Sequence, residues 1–241
     1  MLRLLTDTIL SAVYPHTCRT CNAEVNRIFD GVSCPSCWDA TRIFDGAEPK
    51  CLKCGALDEL QPKERSHCPH CKVQHYDTAR STGVYQNAVA GAVLFLKEKP
   101  HIGQRISRAF VEAAWREIDS RADLIVPVPL SKRRQRERGH NQAEVLARLI
   151  SSELKIKLDR GSLIRSRHTP VHRAGMDGKA REKTVAKAFE VARPKLIVGK
   201  RIVLIDDVFT SGATVSHCAR VLKENGASRV DVFTLARAVL Q

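Results

Sequence analysis

Residues 202 to 215 read IVLIDDVFTSGATV. They set two adjacent carboxylates, Asp206 and Asp207, just ahead of five small or hydroxyl-bearing residues, Thr210, Ser211, Gly212, Ala213 and Thr214. The apolar, β-branched residues before the acids predict a buried strand, and the small residues predict a tight loop at a helix N-terminus. Backbone N–H groups and the positive end of a helix dipole then converge on one point, which suits a phosphate. Two acids beside that point suit sugar hydroxyls or a hydrated Mg²⁺. The segment therefore predicts a site for an anionic sugar phosphate.

A second chemistry is written in the cysteines. Eight of nine form C-x-x-C pairs: Cys18/Cys21, Cys34/Cys37, Cys51/Cys54 and Cys68/Cys71, with 12, 13 and 13 residues between pairs. A two-residue spacer lets both thiolates face one tetrahedral ion, and gaps of this length allow a hairpin to bring two pairs together. The pattern predicts two structural Zn²⁺ sites in tandem ribbons. Sequential pairing, with the first four cysteines on one ion and the last four on another, needs only local hairpins and is preferred. Cross-braced pairing stays open. Disulfides fit poorly with a chain lacking an export signal. A redox C-x-x-C needs a strand-to-helix setting and would not recur four times. Four thiolates leave no coordination position for a substrate, so the zincs should fold the chain and do no chemistry. His16, His67, His70 and His75 lie beside the pairs and read as surface groups or as supports for the ligands. Cys218 reads as a small core residue, not a nucleophile.

These groups need a scaffold. The 241 residues suffice for one large domain or two smaller ones, and 43% apolar content can build a core. The net charge of +14 favours an anionic partner, nucleic acid or a phosphorylated metabolite. With 5% aromatics, an extensive base-stacking platform is disfavoured. The apolar run Ala88–Leu96 falls far short of the roughly 20 residues that cross a bilayer. Leu2, Leu5, Ile9 and Val13 predict a short amphipathic helix rather than a signal peptide, which points to a reducing, cytoplasmic setting. Composition changes near Ser81. Residues 1–80 read as a double zinc ribbon with a short N-terminal helix, and residues 81–241 as a second domain. In the latter, helices are predicted at Ala88–Leu96, Ile102–Ile118, Asn141–Leu154 and Ser211–Asn225. Strands are predicted at Ala122–Val128, within Leu196–Asp206, and at Arg229–Leu235. Strands alternating with helices imply a parallel sheet covered on both faces, with ligands at the carboxyl ends of the strands. The G-x-G-x-x-G and P-loop patterns are absent, so the phosphate cradle is of another kind.

The segment 202–215 resembles the 5-phosphoribosyl-1-pyrophosphate (PRPP) signature of type I phosphoribosyltransferases. That resemblance implies that Asp206 and Asp207 take the ribose hydroxyls, as the candidate catalytic acids. Thr210, Ser211, Gly212, Ala213 and Thr214 would take the 5′-phosphate, with Mg²⁺ accompanying PRPP. Residues 125–147 (IVPVPLSKRRQRERGHNQAEVLA), residues 165–170 (RSRHTP) and the four C-x-x-C pairs together resemble the ComF family of competence proteins. These are double zinc ribbons fused to a phosphoribosyltransferase-like domain, and the likeness covers nearly the whole chain. It implies a pyrophosphate turn at Val128–Pro129 and a mobile basic segment over the site. His140 stands at an aromatic position of the family pattern and His172 at a glutamine position, which leaves PRPP binding intact and the acceptor open.

Lys132, Arg133, Arg134, Arg136 and Arg138 put five cations within seven residues. All five, Lys132, Arg133, Arg134, Arg136 and Arg138, are candidates for pyrophosphate or DNA phosphate contact, against the alternative of a solvated loop. Arg165, Arg167, Arg173 and Arg181 form a second basic group. Two functions follow from the resemblance. One is a PRPP-binding protein of DNA uptake or processing in natural transformation, with single-stranded DNA and uptake proteins as partners. The other is an active, salvage-type phosphoribosyltransferase with an unassigned acceptor and no DNA role.

Overall fold

The structure, a computed structural model, describes residues 16–25, 31–48, 50–57, 68, 71, 73–166 and 188–239. In chain order the elements are β1 (His16–Thr17), β2 (Glu24–Val25), α1 (Pro35–Asp39), β3 (Thr78–Val84), α2 (Asn87–Glu98), α3 (Gln104–Glu117) and β4 (Leu124–Pro127). They continue with α4 (Lys132–Arg138), α5 (Gln142–Leu154), β5 (Lys157–Leu158), β6 (Leu163–Arg165), β7 (Phe189–Val191), β8 (Arg201–Phe209), α6 (Ala213–Glu224) and β9 (Arg229–Arg237).

Five strands form one sheet in the order β3-β9-β8-β4-β5, and every neighbouring pair is parallel. This is the parallel sheet flanked by helices that the alternating pattern predicts. Side chains of a strand point alternately to the two faces. Leu124, Val126, Ile202, Leu204, Val230 and Val232 pack with Val215, Cys218, Ala219 and Leu222 of α6. Ile125, Val203, Ile205, Phe233 and Leu235 pack with α2, α3 and α5 on the other face. Both faces are apolar, so β4 and residues 202–205 of β8 read as continuous hydrophobic runs. Truncating one such residue, as in Ile205→Ala, should cost roughly 2–5 kcal/mol.

The sheet edge at β3 is covered by the cysteine-rich half. Phe44 N donates to Thr82 O at 2.8 Å, Val84 N to Arg42 O at 3.0 Å, and Ala79 N to Lys53 O at 2.7 Å. These bonds occupy an edge that would otherwise offer unpaired amides. β3 starts at Thr78, ahead of the compositional change at residue 80, because cysteine content tracks metal ligation while strand pairing tracks the partner β9.

The basic stretch Lys132–Arg138 is a helix, not the expected loop. Ser131 caps it, its Oγ accepting from Arg134 N at 3.3 Å, and Gly139 ends it. β5, β6 and β7 are too short to announce themselves by periodicity. The expected helix over Leu2–Val13 lies outside the described residues, as do His67, His70, Arg167, His172, Arg173 and Arg181. Among the described residues, no helix is long and apolar enough to cross a membrane.

Candidate functional site

β8 carries its alternation past the core to the two acids, so neighbours in sequence meet different surroundings. Asp207 lies toward α2 and α5. Lys97 Nζ stands 3.8 Å from its Oδ2, and Gln142 Nε2 donates to the same oxygen at 3.4 Å. Asp206 lies on the α6 side, within electrostatic reach of Cys218. Asp207 N donates to Asp206 Oδ1 at 2.9 Å, and Val208 N donates to Asp207 Oδ1 at 2.9 Å. Part of Asp206 faces a cavity, yet protein atoms crowd it. Burial first, and then the Asp207 charge, push its carboxyl well above the usual range. Burial and the Asp206 carboxylate likewise push the Cys218 thiol up, the opposite of activation, which fits a core residue.

The cavity holds about 260 Å³ at the carboxyl ends of β4 and β8. Of the residues singled out from sequence, Val128, Pro129, Arg138, Asp206, Asp207 and Thr214 line it. Arg134, one of the five basic candidates, also lines it, as do Gln142, at the end of the segment expected over the site, and Lys97 and Arg165, which were not among the candidates for it. Thr210, Ser211, Gly212 and Ala213 are not on its wall; they form the turn beside it, with Ala213 and Thr214 already in the first turn of α6. Gly212 has φ +76°, and a Cβ there would sit 2.7 Å from the Phe209 ring, so only glycine permits this tight entry to the helix. Ser211 Oγ accepts from Ala213 N at 3.4 Å, and Thr210 and Ser211 stay exposed. The loop thus presents hydroxyls and a helix N-terminus next to the acids.

Helical spacing sorts the basic residues of α4. Arg134 and Arg138, four apart, share the face toward the cavity. Arg133 pairs with Glu137 at 2.6 Å, and Lys132, Arg133 and Arg136 are not on the cavity wall. A periodicity test between the Ser131 cap and Gly139 would have selected Arg134. Nothing local to Lys97 or Arg165 signals their place. The Val128 turn is fixed by Asn141, whose Nδ2 donates to Val128 O at 3.0 Å while its Oδ1 accepts from Ala143 N at 3.1 Å as the cap of α5. His140 bridges the Leu96 and Arg138 carbonyls at 2.7 and 3.0 Å. Its ring is spent on backbone rather than on the cavity.

The cysteines gather as two sequential sets, Cys18, Cys21, Cys34 and Cys37, and Cys51, Cys54, Cys68 and Cys71, each with its sulfurs within 4.8 Å of one another. Cross-bracing is excluded by this grouping. Sulfur pairs stand at 3.7 Å (Cys18–Cys37), 3.5 Å (Cys21–Cys34), 3.7 Å (Cys51–Cys71) and 3.4 Å (Cys54–Cys68). A tetrahedron with Zn–S bonds of about 2.3 Å has edges of about 3.8 Å, whereas a disulfide bond is about 2.05 Å. The donor sets therefore fit structural Zn²⁺. Burial opposes ionisation of Cys18, but the amides of Cys34, Cys21 and Thr20 draw its thiol down to about 6. At Cys51 burial is likewise overcome, by the amides of Cys54, Cys68 and Lys53, again to about 6. One thiolate in each set is thus prepared for a cation. No histidine joins either set among the described residues. His75 is depressed by burial and by Arg220, and its N donates to Ser216 Oγ on α6 at 3.0 Å.

The second set is joined to the phosphate-type loop. Arg237, buried at the end of β9, donates to Cys54 O and lies over the Phe209 ring. Tyr76 meets the same ring edge-on at 5.9 Å between centroids.

Family comparison matches residues 9–73 to the double zinc ribbon domain and residues 125–239 to the phosphoribosyl transferase domain. Competence protein F of Haemophilus influenzae is 30% identical over 230 residues, covering 92% of this chain and 96% of that protein. DNA utilization protein YhgH of Escherichia coli is 35% identical over 117 residues, 48% of this chain, and the chain spans only half (50%) of that relative's length. Among solved structures, that of the allosteric regulatory enzyme of purine biosynthesis covers 59% of this chain and 30% of its own at 20% identity, with a TM-score of 0.42.

Proposed function

The chain belongs to the competence protein F (ComF) family, and on that footing we propose that it binds PRPP with Mg²⁺ and acts in the uptake or processing of DNA during natural transformation. One observation carries the PRPP reading. Asp206 and Asp207 share a cavity with the Val128–Pro129 turn and with Thr214 at the start of α6. In this reading Asp206 and Asp207 take the ribose hydroxyls, and residues 210–214 take the 5′-phosphate through amides and hydroxyls. The Val128–Pro129 turn, with Arg134 and Arg138, receives the pyrophosphate. The zincs hold the ribbons, the thiols require a reducing compartment such as the cytoplasm, and the net charge of +14 supports single-stranded DNA as partner. PRPP with Mg²⁺ should raise the melting temperature, and the double change Asp206→Ala and Asp207→Ala should abolish the rise. An undiminished rise in that variant would refute the assignment.

The intact signature, with Asp206 and Asp207 in one cavity with Thr214, Arg134 and Arg138, supports a second reading, phosphoribosyl transfer. The bond from the anomeric carbon to pyrophosphate breaks, and its electron pair leaves with pyrophosphate beside Arg134 and Arg138. A lone pair of the acceptor forms the new bond, and the acceptor's proton passes to an aspartate or to water. Incubating labelled PRPP with cell extract and the protein tests this; transfer of label to no acceptor would count against it.

A further inference from the structure

A second and larger cavity, about 630 Å³, opens at the other end of the sheet, beside Leu124 of β4, Lys157 of β5 and Lys200 just before β8. It shares no lining residue with the cavity at Asp206 and Asp207. Its two acids are already engaged. Asp123 accepts from Arg201 N at 2.8 Å and pairs with Lys200 at 3.4 Å. Asp159 Oδ1 accepts from the amides of Gly161 at 2.9 Å and Ser162 at 3.0 Å. Its cations are less committed. Arg160 pairs with Glu144 at 3.1 Å and Arg193 lies within electrostatic reach of Asp159, but Lys157, Arg193 and Lys195 make no ion pair among the described residues.

Arg193 is exposed, and its guanidinium rests against the Gly161 backbone. Its guanidinium carbon lies 2.9 Å from where a Cβ on residue 161 would stand, so glycine there lets the flat group rest against the backbone. Its planar fork matches phosphate oxygens bidentately, and Lys157 and Lys195 add point charges nearby. Leu124, Leu158 and Leu196 complete the wall with apolar surface. A volume in the usual range for small ligands, three cations that make no ion pair among the described residues and an aliphatic wall describe a ligand with several phosphates and a ring. A concave pocket of this size encloses such a molecule, whereas a continuous polyanion needs an extended groove.

We propose that this cavity binds a nucleoside polyphosphate. The site is independent of the PRPP reading and faces away from it.

The test uses full-length, zinc-loaded protein and ATP as probe, read by calorimetry. ATP should bind wild type and the Asp206→Ala/Asp207→Ala variant alike. The exposed triple change Lys157→Ala, Arg193→Ala and Lys195→Ala should weaken ATP at least tenfold and leave PRPP binding unchanged. Gly161→Val, which removes no charge but displaces Arg193, should also weaken ATP severalfold. Tripolyphosphate should bind at least tenfold more weakly than ATP. Unchanged ATP affinity in the triple variant would overturn the proposal, as would loss of ATP binding in the aspartate variant. Tripolyphosphate binding as tightly as ATP would overturn the nucleoside assignment.

Discussion

The guanidinium of Arg237 lies 4.3 Å from the centre of the Phe209 ring while donating to the Cys54 carbonyl. One buried side chain thus touches both the second cysteine set and the residue that ends β8. Phe209 in turn fills the space beside Gly212. The second cysteine set and the loop 210–212 are thus linked through packed side chains. Replacing Arg237 with Leu strands the Cys54 carbonyl, at roughly 1–3 kcal/mol, and removes a cation–π contact of about 0.5–2 kcal/mol. Denaturant unfolding should show that loss, and PRPP affinity should fall severalfold.

Gly212→Ala tests the loop itself. With φ at +76° and the Phe209 ring 2.7 Å from the new Cβ, the turn must open. The change should cost more than about 1 kcal/mol and lower PRPP affinity at least tenfold. Thermal shift with and without PRPP reads both.

Metal analysis should find about two zinc ions per chain. Cys54→Ser should weaken PRPP binding more than Cys21→Ser, because Cys54 meets Arg237 while the first set lies against α2. There Thr20 Oγ1 donates to Asn87 O at 3.0 Å. Equal effects of the two variants would show that the ribbon supports the loop only through global stability.

The two faces of α4 should separate. Arg134→Ala with Arg138→Ala should reduce pyrophosphate affinity about tenfold or more, whereas Arg133→Ala, paired outward with Glu137, should not. Affinity for single-stranded DNA, measured against salt, should fall when Lys132, Arg133 and Arg136 are neutralised, with a shallower salt slope.

Asp206 gives a pH dependence of definite sign. Folding raises its pKa above the ordinary 3.8, so the native state binds that proton more tightly than the unfolded chain. Its contribution to stability is therefore favourable at low pH and is lost as pH rises from about 3.8 through the raised native value. Subtracting the melting-temperature profile of Asp206→Asn from that of wild type isolates the effect. A difference that grows with pH would contradict it.

Much of this protein is local in character and legible in the chain alone. The C-x-x-C spacing prepares metal knuckles because two residues suffice to aim two thiolates. The run 202–205 builds a buried strand because its side chains are apolar on both faces. The acids and hydroxyls follow at once, so the loop's chemistry needs no distant partner to be recognised. Helices α2, α3, α5 and α6 repeat their apolar residues over three turns or more, which is enough for periodicity to register. Tertiary structure decided the rest. Lys97 reaches Asp207 only because α2 packs across β9, the neighbour of β8, and Arg165 reaches the cavity from a three-residue strand with no pattern of its own. Which arginines of residues 132–138 face the cavity depended on that stretch being a helix docked beside β4. The bond between Arg237 and Cys54 joins residues at opposite ends of the chain. Such contacts depend on how separate elements pack in three dimensions, which spacing along the chain does not encode.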